Sequence, residues 1–349
     1  MIHSFAGENA DVVWKSALAA LIESGMEQSS RLGITKEILH ANFKIENPRN
    51  RWVFSRKPGI NPAFAIVEVF WILSGRDDAK IVNHWNPALP KFSGYDENYH
   101  GAYGYRLRKK FGFDQIDRAY QALQSNPDSR QIVLQLLNPA WDMPSDDGMP
   151  VSTDIPCNIC SMPKIRDGRL EWLQILRSND IIRGLPYNIV QFTTIQEVLS
   201  GWLNIEVGAY HQVSDSLHFY DEDLRTFSSL SDIHFVNNED VLALPKKQFD
   251  EALDIIISLL DGLSNPSISK EEFISLFQIK NLPRAYQNLV SIAAADSARR
   301  RGWIGEKDEA INSCTNKALL FAWKNWEIHV DSRLTKMEKN SWHSGVEKP

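Results

Sequence analysis

The sequence predicts a mixed α/β domain of the α+β type over residues 1–244, followed by a helical extension over residues 245–349. Three observations predict this layout. Residues 61–75 have the pattern of a buried helix, residues 129–177 change to short runs rich in β-branched residues, and the chain beyond 245 keeps helical spacing alone. Helix and strand signals mixed in one stretch are typical of a sheet covered by helices.

Three segments predict the helices of the domain. Residues 10–25 place apolar side chains at helical spacing and end at Gly25, which is a common stop signal. Residues 61–75 (NPAFAIVEVFWILSG) begin with Asn-Pro, and proline is favoured at the first helical position. This segment is apolar almost all round, so we expect a buried helix with Glu68 in its middle. Residues 187–203 return to helical spacing.

The strand signals lie between these helices and after them. The runs RQIVLQLL and RLEWLQILR are separated by the turn-like segments PSDDGMP and RDGR. Residues 205–220 (IEVGAYHQVSDSLHFY) also have an extended pattern. We therefore expect a mixed sheet with flanking helices over about the first 220 residues.

The extension contains three candidate helices, which are residues 246–262, 284–300 and 308–330. Their apolar residues fall on one face, so we expect them to pack on the domain or on a partner. Pro283 is a plausible joint between them.

Composition limits the classes of function. The chain has 349 residues, of which 43% are apolar and 23% charged, as in ordinary globular proteins. A net charge of -6 argues against a basic surface for nucleic acid, so an anionic ligand needs a local arginine cluster. No apolar run of about 18 residues and no signal-peptide pattern is found, so we expect a cytoplasmic protein without membrane contact.

The three cysteines are Cys157, Cys160 and Cys314, which do not suggest a disulfide framework. A single CxxC pair lacks the four ligands of structural zinc, so no metal site is expected, while a redox pair stays open. Cys157 follows Pro156 in DIPCNIC. A buried cysteine is usually packing, and reactivity requires positive charge nearby.

Motifs on both sides of Cys157 favour reactivity. The segments SRQIVLQLLNP, IPCNIC, LRSNDIIRGLPYNIVQF, IEVG and HFY resemble those of the thymidylate synthase family, in the same order and spacing. Weaker matches are RLGIT, VEVFWILSG and HGAYGYRLR. The resemblance covers about residues 31–220 and none of the helical extension. It implies a thymidylate synthase-like mixed β-sheet with flanking helices.

The resemblance also implies a reaction, which is folate-dependent transfer of a one-carbon unit to C5 of a uracil nucleotide, in the first instance dUMP to dTMP. The co-substrate would be 5,10-methylenetetrahydrofolate and the enzyme a homodimer. Cys157 would attack C6 as a thiolate. Arg177 would bind the phosphate and lower the pKa of the thiol. Glu68, with a pKa raised by burial, and Tyr103 would serve proton transfers.

Further binding residues follow from the same motifs. Ser178, Arg31 and Arg130 would complete the phosphate pocket, with Arg130 contributed by the second subunit. The family normally has two consecutive arginines there, whereas Gln131 follows Arg130 in this chain. Either phosphate binds more weakly, or Arg106 or Arg108 substitutes, or the ligand differs.

Asn188 would read the base, because a carboxamide donates to uracil O4 and accepts from N3–H at once. Relatives that act on cytosine nucleotides carry aspartate there, so uracil is preferred. His218 and Tyr220 would bind the 3′-hydroxyl, and Asp180 and Gly184 would contact the folate. Asn158 stands where histidine is commonest in the family.

Two departures leave the product open. Members that methylate carry tryptophan near the cofactor, between the SG turn and the catalytic tyrosine, but here a single Trp85 stands in a different setting. The short apolar tail of the family is replaced by NSWHSGVEKP. Both features exclude water, and water would otherwise give a 5-hydroxymethyl nucleotide. Alternatives are a lid supplied by the extension, a ribonucleotide substrate, or a noncatalytic homologue that binds nucleotides or a partner.

Overall fold

A computed structural model describes residues 3–30, 33–227 and 235–343, with residues 331–343 described by their helical backbone alone. Within these ranges the chain forms seven strands, which are β1 Ser4–Gly7, β2 Met26–Ser30, β3 Gly33–Ile45, β4 Leu134–Gln135, β5 Asn158–Arg166, β6 Arg169–Asp180 and β7 Glu206–Tyr220.

The helices before β7 are α1 Ala10–Ser24, α2 Pro62–Leu73, α3 Ala79–Trp85, α4 Pro90–Ser93, α5 Tyr103–Tyr105 continued by a π-helical turn Arg106–Lys110, α6 Gln115–Ser125, α7 Pro139–Asp142 and α8 Leu185–Leu203. Those after β7 are α9 Asp221–Thr226, α10 Lys246–Ser264, α11 Lys270–Phe277, α12 Arg284–Arg300, α13 Ile304–Ser313 and α14 Lys317–His343.

The strands form one mixed sheet in the order β1-β3-β7-β6-β5-β4, with β2 paired to β3 beside β1. The β1–β3 and β6–β7 pairs are parallel and the other pairs antiparallel. Buried side chains alternate along β6 and β7 with half-buried ones, so helices cover one face of the sheet more fully than the other. The predicted mixed α/β fold is confirmed.

The hairpin of β5 and β6 determines where the nucleophile candidate lies. Its turn residues Asp167 and Gly168 have φ of 50° and 72°, the left-handed values that a tight two-residue hairpin needs. The antiparallel ladder brings Cys157 opposite Arg177, whose backbone N–H donates to the Cys157 carbonyl at 2.9 Å. A bulge between Asn158 and Cys160 shifts the register at this end of the hairpin.

The predicted buried helix is α2. The Asn61 side chain accepts hydrogen bonds from the N–H groups of Ala63 and Phe64, so it caps the helix just before Pro62. Every residue of α2 is buried except Glu68, which is half-buried. The helix packs against α8, α10, α12 and α14, and this burial on several sides explains its nearly uniform apolar sequence.

Helices α1, α8, α10 and α12 agree with the predicted segments. The predicted helix 308–330 is wrong as one element, because α13 and α14 are separate. The Thr315 N–H donates to Asn288 Oδ1, and Asn316 caps the new helix through the Leu319 N–H. In RQIVLQLL only Leu134–Gln135 pairs as a strand, and the long strand β3 was not predicted.

The extension and the domain share one continuous core of buried apolar residues. The boundary at residue 244 therefore stays a prediction. Among the described residues, no helix is long and apolar enough to cross a membrane.

Candidate active site

A cleft of about 790 Å³ opens between the ends of β5, β6 and β7 and helices α2 and α8. Most of the predicted site residues line it. They are Glu68, Tyr103, Cys157, Arg177, Ser178, Asp180, Gly184, Asn188, His218 and Tyr220. Residues that are up to 152 positions apart in the chain, from Glu68 to Tyr220, therefore meet in one cavity.

Arg177 holds the backbone in front of Cys157. Its Nε donates to the Pro156 carbonyl at 2.9 Å and its Nη2 to the Ile155 carbonyl at 3.1 Å. Burial raises the pKa of the Cys157 thiol, while the Arg177 charge opposes the rise. Arg177 therefore lowers the pKa of the thiol, as expected, but the net pKa is still raised because desolvation outweighs the positive charge.

A chain of buried amides fixes the orientation of Asn188. Gln174 donates to Asn158 at 2.8 Å, Asn158 donates to the Asn188 Oδ1 at 3.4 Å, and the Asn188 Nδ2 donates to Asn179 at 3.3 Å. Each bond uses one of the two protons or lone pairs on its atom. The Asn188 amide therefore keeps one donor and one acceptor position for a ligand in the cleft, and Asn158 serves as its support.

Glu68 reaches the cleft from the middle of α2. Gln191 Nε2 donates to Glu68 Oε2 at 2.5 Å. Burial raises the pKa of Glu68 from 4.5 to about 7, and the Gln191 hydrogen bond opposes part of that rise. This agrees with the expectation from the sequence. Burial also raises the pKa of Tyr103, so its hydroxyl stays protonated near neutral pH.

The far wall of the cleft carries the residues predicted for sugar and folate. Asp180 Oδ1 accepts from the N–H groups of Ile182 and Arg183, both at 2.8 Å, and burial raises the pKa of this carboxyl. Gly184 precedes α8, where a Cβ would lie 3.3 Å from the Asp180 carbonyl oxygen. The rings of His218 and Tyr220 meet edge to face at 5.7 Å on one side of β7.

Of the arginines predicted to bind the phosphate, only Arg177 is seen in the cleft among the described residues. Arg31 lies outside the described residues, and Arg130 is exposed and does not line the cleft. Neither of the two suggested substitutes enters it. Arg106 is buried against Asp142 at 2.6 and 2.8 Å, and Arg108 binds Asp114.

Two other arginines line the cleft and were not predicted. Arg56 Nε donates to the Ile182 carbonyl at 2.6 Å, and Arg183 binds Asp223 at 2.7 Å while stacking on Phe92 and Tyr220. Arg183 stands in the quoted motif LRSNDIIRG, so its position next to Asp180 and Gly184 was the available signal.

Trp85 lies away from the cleft. It is 1% exposed, and its Nε1 donates to the Ala293 carbonyl of α12 at 3.0 Å. Asn61 Nδ2 donates to the carbonyl of Trp85 at 3.3 Å, and Arg300 of α12 also donates to it. The extension thereby holds the end of α3, and the residues that follow it, Leu89 and Phe92, form the cleft wall.

Trp71 of α2 is the tryptophan among the described residues that does line the cleft. The described lining ends at Tyr220, so within the described ranges the extension packs behind α2 and contributes no side chain to the cavity. The tail segment NSWHSGVEKP has no described side chains.

Residues 13–246 match the family model described as thymidylate synthase. A deoxyuridylate hydroxymethyltransferase of Bacillus phage SP01 is 32% identical over 266 residues, which cover 72% of this chain and 68% of that protein. Another, of Pseudomonas phage M6, is 35% identical over 188 residues, with 53% and 52% covered. A thymidylate synthase of Clostridium beijerinckii is 24% identical over 212 residues, with 58% and 73% covered.

Proposed function

Because the chain belongs to the thymidylate synthase family, we propose that it transfers a one-carbon unit to C5 of dUMP and that water completes the reaction, giving 5-hydroxymethyl-dUMP. The observation that carries the choice of product is the position of Trp85, which packs under α12 and leaves the cleft wall to Leu89 and Phe92. The phage relatives, which are named deoxyuridylate hydroxymethyltransferases, support the same choice.

The product depends on access of water to the reacting carbon. After C6 is bound to Cys157 and the one-carbon unit is joined to C5, loss of the folate leaves an exocyclic methylene on the nucleotide. A tryptophan in this part of the wall would keep water from this carbon, whereas Leu89 and Phe92 fill less space than tryptophan and admit water. Water addition then gives the hydroxymethyl product.

The residues of the cleft can perform the earlier steps. Arg177 has five N–H donors, and the two bonds to backbone carbonyls leave others for the nucleotide phosphate. Cys157 attacks C6 as a thiolate and makes C5 nucleophilic. Glu68 and Tyr103 exchange protons with the base and C5 through water, and a pKa of about 7 lets Glu68 both take and give a proton.

Base recognition would rest on Asn188. Its remaining donor and acceptor match O4 and N3–H of uracil, and cytosine offers the opposite pattern. The two neighbouring amides hold the orientation, so a flip of Asn188 would break both of their bonds. His218 and Tyr220 would bind the 3′-hydroxyl and Ser178 the phosphate.

Features of the cleft support methylenetetrahydrofolate as the co-substrate. Trp71, Leu89 and Phe92 provide an apolar wall for a flat aromatic ligand, and the half-buried Asp180 carboxyl lies in the same cavity beside Gly184. When bound, the folate supplies the one-carbon unit. Asp180 would orient the pterin by hydrogen bonding.

Methylation to dTMP is the second candidate, since Trp71 lines the cleft and could shield the intermediate, and since thymidylate synthases are also relatives. The two reactions leave different products. We expect the protein, given dUMP and methylenetetrahydrofolate, to form 5-hydroxymethyl-dUMP and tetrahydrofolate. Formation of dTMP with dihydrofolate would identify the second candidate instead.

Chromatography with mass spectrometry identifies both products, and dCMP or UMP in place of dUMP tests the base and sugar preference. Failure to release tritium from the C5-labelled forms of all these nucleotides would argue for a noncatalytic homologue.

We also propose that the enzyme is a homodimer, in the cytoplasm where its substrates occur. The less covered face of the sheet carries half-buried apolar side chains, including Leu173, Ile175 and Val213, and Arg130 is exposed. A second copy on this face would cover the apolar residues. We expect a dimer in sedimentation at micromolar concentration and a shift to monomer in Ile175→Glu, and a monomeric wild-type protein would contradict the proposal.

A further inference from the structure

Asp154 contributes a carboxyl group to the cleft and takes no part in the binding and proton-transfer steps proposed for the other residues. It lies three positions before Cys157 and lines the same cavity as Cys157 and Tyr103. Its Oδ2 accepts a hydrogen bond from the Gly101 N–H at 2.7 Å, and Ser93 also hydrogen-bonds to it. A Cβ on Gly101 would lie 2.9 Å from Asp154 Oδ1, so glycine allows the close approach.

The charge of Asp154 is unfavourable for the first chemical step. It raises the pKa of the Cys157 thiol and of the Tyr103 hydroxyl, and therefore opposes formation of the thiolate. Burial raises the pKa of Asp154 itself, against the Gly101 hydrogen bond and the charges of His100 and Arg106. A half-buried carboxyl that lines the cleft beside Cys157 and has a raised pKa is a candidate for proton transfer.

We propose that Asp154 is the general base that takes a proton from the water that adds to the exocyclic methylene. The inference rests on the proposed hydroxymethylation, and it assigns to this chain a group that a hydride-transferring enzyme would not need.

The bonds in this step balance without another reactant. The water oxygen forms a bond to the exocyclic carbon, and one water proton passes to Asp154. The electron pair of the exocyclic double bond moves into the ring and then expels the Cys157 sulfur from C6, which restores the C5–C6 double bond. Asp154 afterwards releases its proton to solvent, and no oxidant or reductant is consumed.

A purely structural role for Asp154 makes a different prediction. The Gly101 N–H needs one acceptor, which the carbonyl of an asparagine provides equally well. Asp154→Asn therefore keeps the bond that holds the loop and removes the base. Asp154→Glu keeps a carboxylate, and Asp146→Asn makes the same change on an exposed residue of the same loop.

The test separates the early steps from water addition. For each variant, tritium release from C5-labelled dUMP, adduct formation with 5-fluoro-dUMP and folate, and the yield of 5-hydroxymethyl-dUMP are measured with and without 2-mercaptoethanol as a competing nucleophile. In Asp154→Asn we expect the adduct to form and hydroxymethyl product to fall by about 10²-fold or more. The thioether formed by 2-mercaptoethanol should rise relative to the hydroxymethyl product. Asp154→Glu should recover part of the product and Asp146→Asn should match wild type.

Two results would overturn the proposal. An unchanged ratio of hydroxymethyl to thioether product in Asp154→Asn would exclude Asp154 as the base. Loss of the 5-fluoro-dUMP adduct in both Asp154→Asn and Asp154→Glu would assign Asp154 to the structure of the loop. If the wild-type protein makes only dTMP, the proposed function fails first, and that result is visible before any variant is compared.

Discussion

Replacement of Cys157 by serine is expected to abolish covalent bonding to the nucleotide. A serine hydroxyl is not ionised near neutral pH, and removal of a nucleophile from a catalytic set lowers turnover by orders of magnitude. We expect turnover to fall by at least about 10⁴-fold. Intact-protein mass spectrometry should show a ternary adduct with 5-fluoro-dUMP and folate in the wild type and none in Cys157→Ser.

Cys160→Ala is the matched control. Cys160 is 8% exposed, lies on β5 and does not line the cleft, so its removal should leave the adduct intact. If the adduct persists in Cys157→Ser and disappears when Cys160 is also removed, the nucleophile is Cys160 and the assignment to Cys157 is wrong. The same pair of variants tests the redox alternative, because a CxxC redox pair would lose its function in both.

Replacement of Glu68 by glutamine is expected to have the second largest effect. Glutamine retains the shape and can still bond to Gln191, but it cannot exchange a proton with the substrate. Turnover should fall by about 10² to 10⁴-fold. The pH profile of the wild-type rate should show a group with an apparent pKa of about 7, and this titration should be absent from the variant.

The raised pKa of Glu68 also predicts that Glu68→Gln changes stability in the direction opposite to its effect on turnover. Folding raises the pKa of its carboxyl from 4.5 to about 7, so the folded state holds the proton more tightly than the unfolded chain. The stabilisation that comes from this protonated carboxyl is complete below about pH 4.5 and is lost as the pH rises to about 7. The free energy of unfolding should then fall by up to about 3 kcal/mol. Glu68→Gln should escape that loss.

Urea unfolding at pH 5 and pH 8 measures this difference. The wild type should lose more stability than Glu68→Gln between the two pH values, and Glu251→Gln, on the exposed face of α10, should behave as the wild type. Equal pH dependence in all three proteins, together with an unchanged rate profile, would show that Glu68 titrates normally.

Local pattern predicted several elements correctly because each carries its own signal. The segment 61–75 has a cap, a proline and an apolar surface all round, and these features specify α2 without reference to the rest of the chain. The RDGR turn likewise specifies the β5–β6 hairpin. The break between α13 and α14 was missed because a tertiary hydrogen bond to Asn288 stabilises it.

Cys157 and the motif residues that meet it were identifiable from the sequence, because the residue types and their spacing match one family along about 190 residues, from about 31 to 220. Three features required the tertiary structure. Burial outweighs the Arg177 charge at the thiol, Trp85 is turned toward α12, and Asp154 enters the cleft. Each depends on desolvation or on contacts between distant segments, which spacing along the chain does not encode. The sequence by itself therefore determined the family and the candidate nucleophile, and the packing of the folded chain decided which groups surround Cys157 in the cleft.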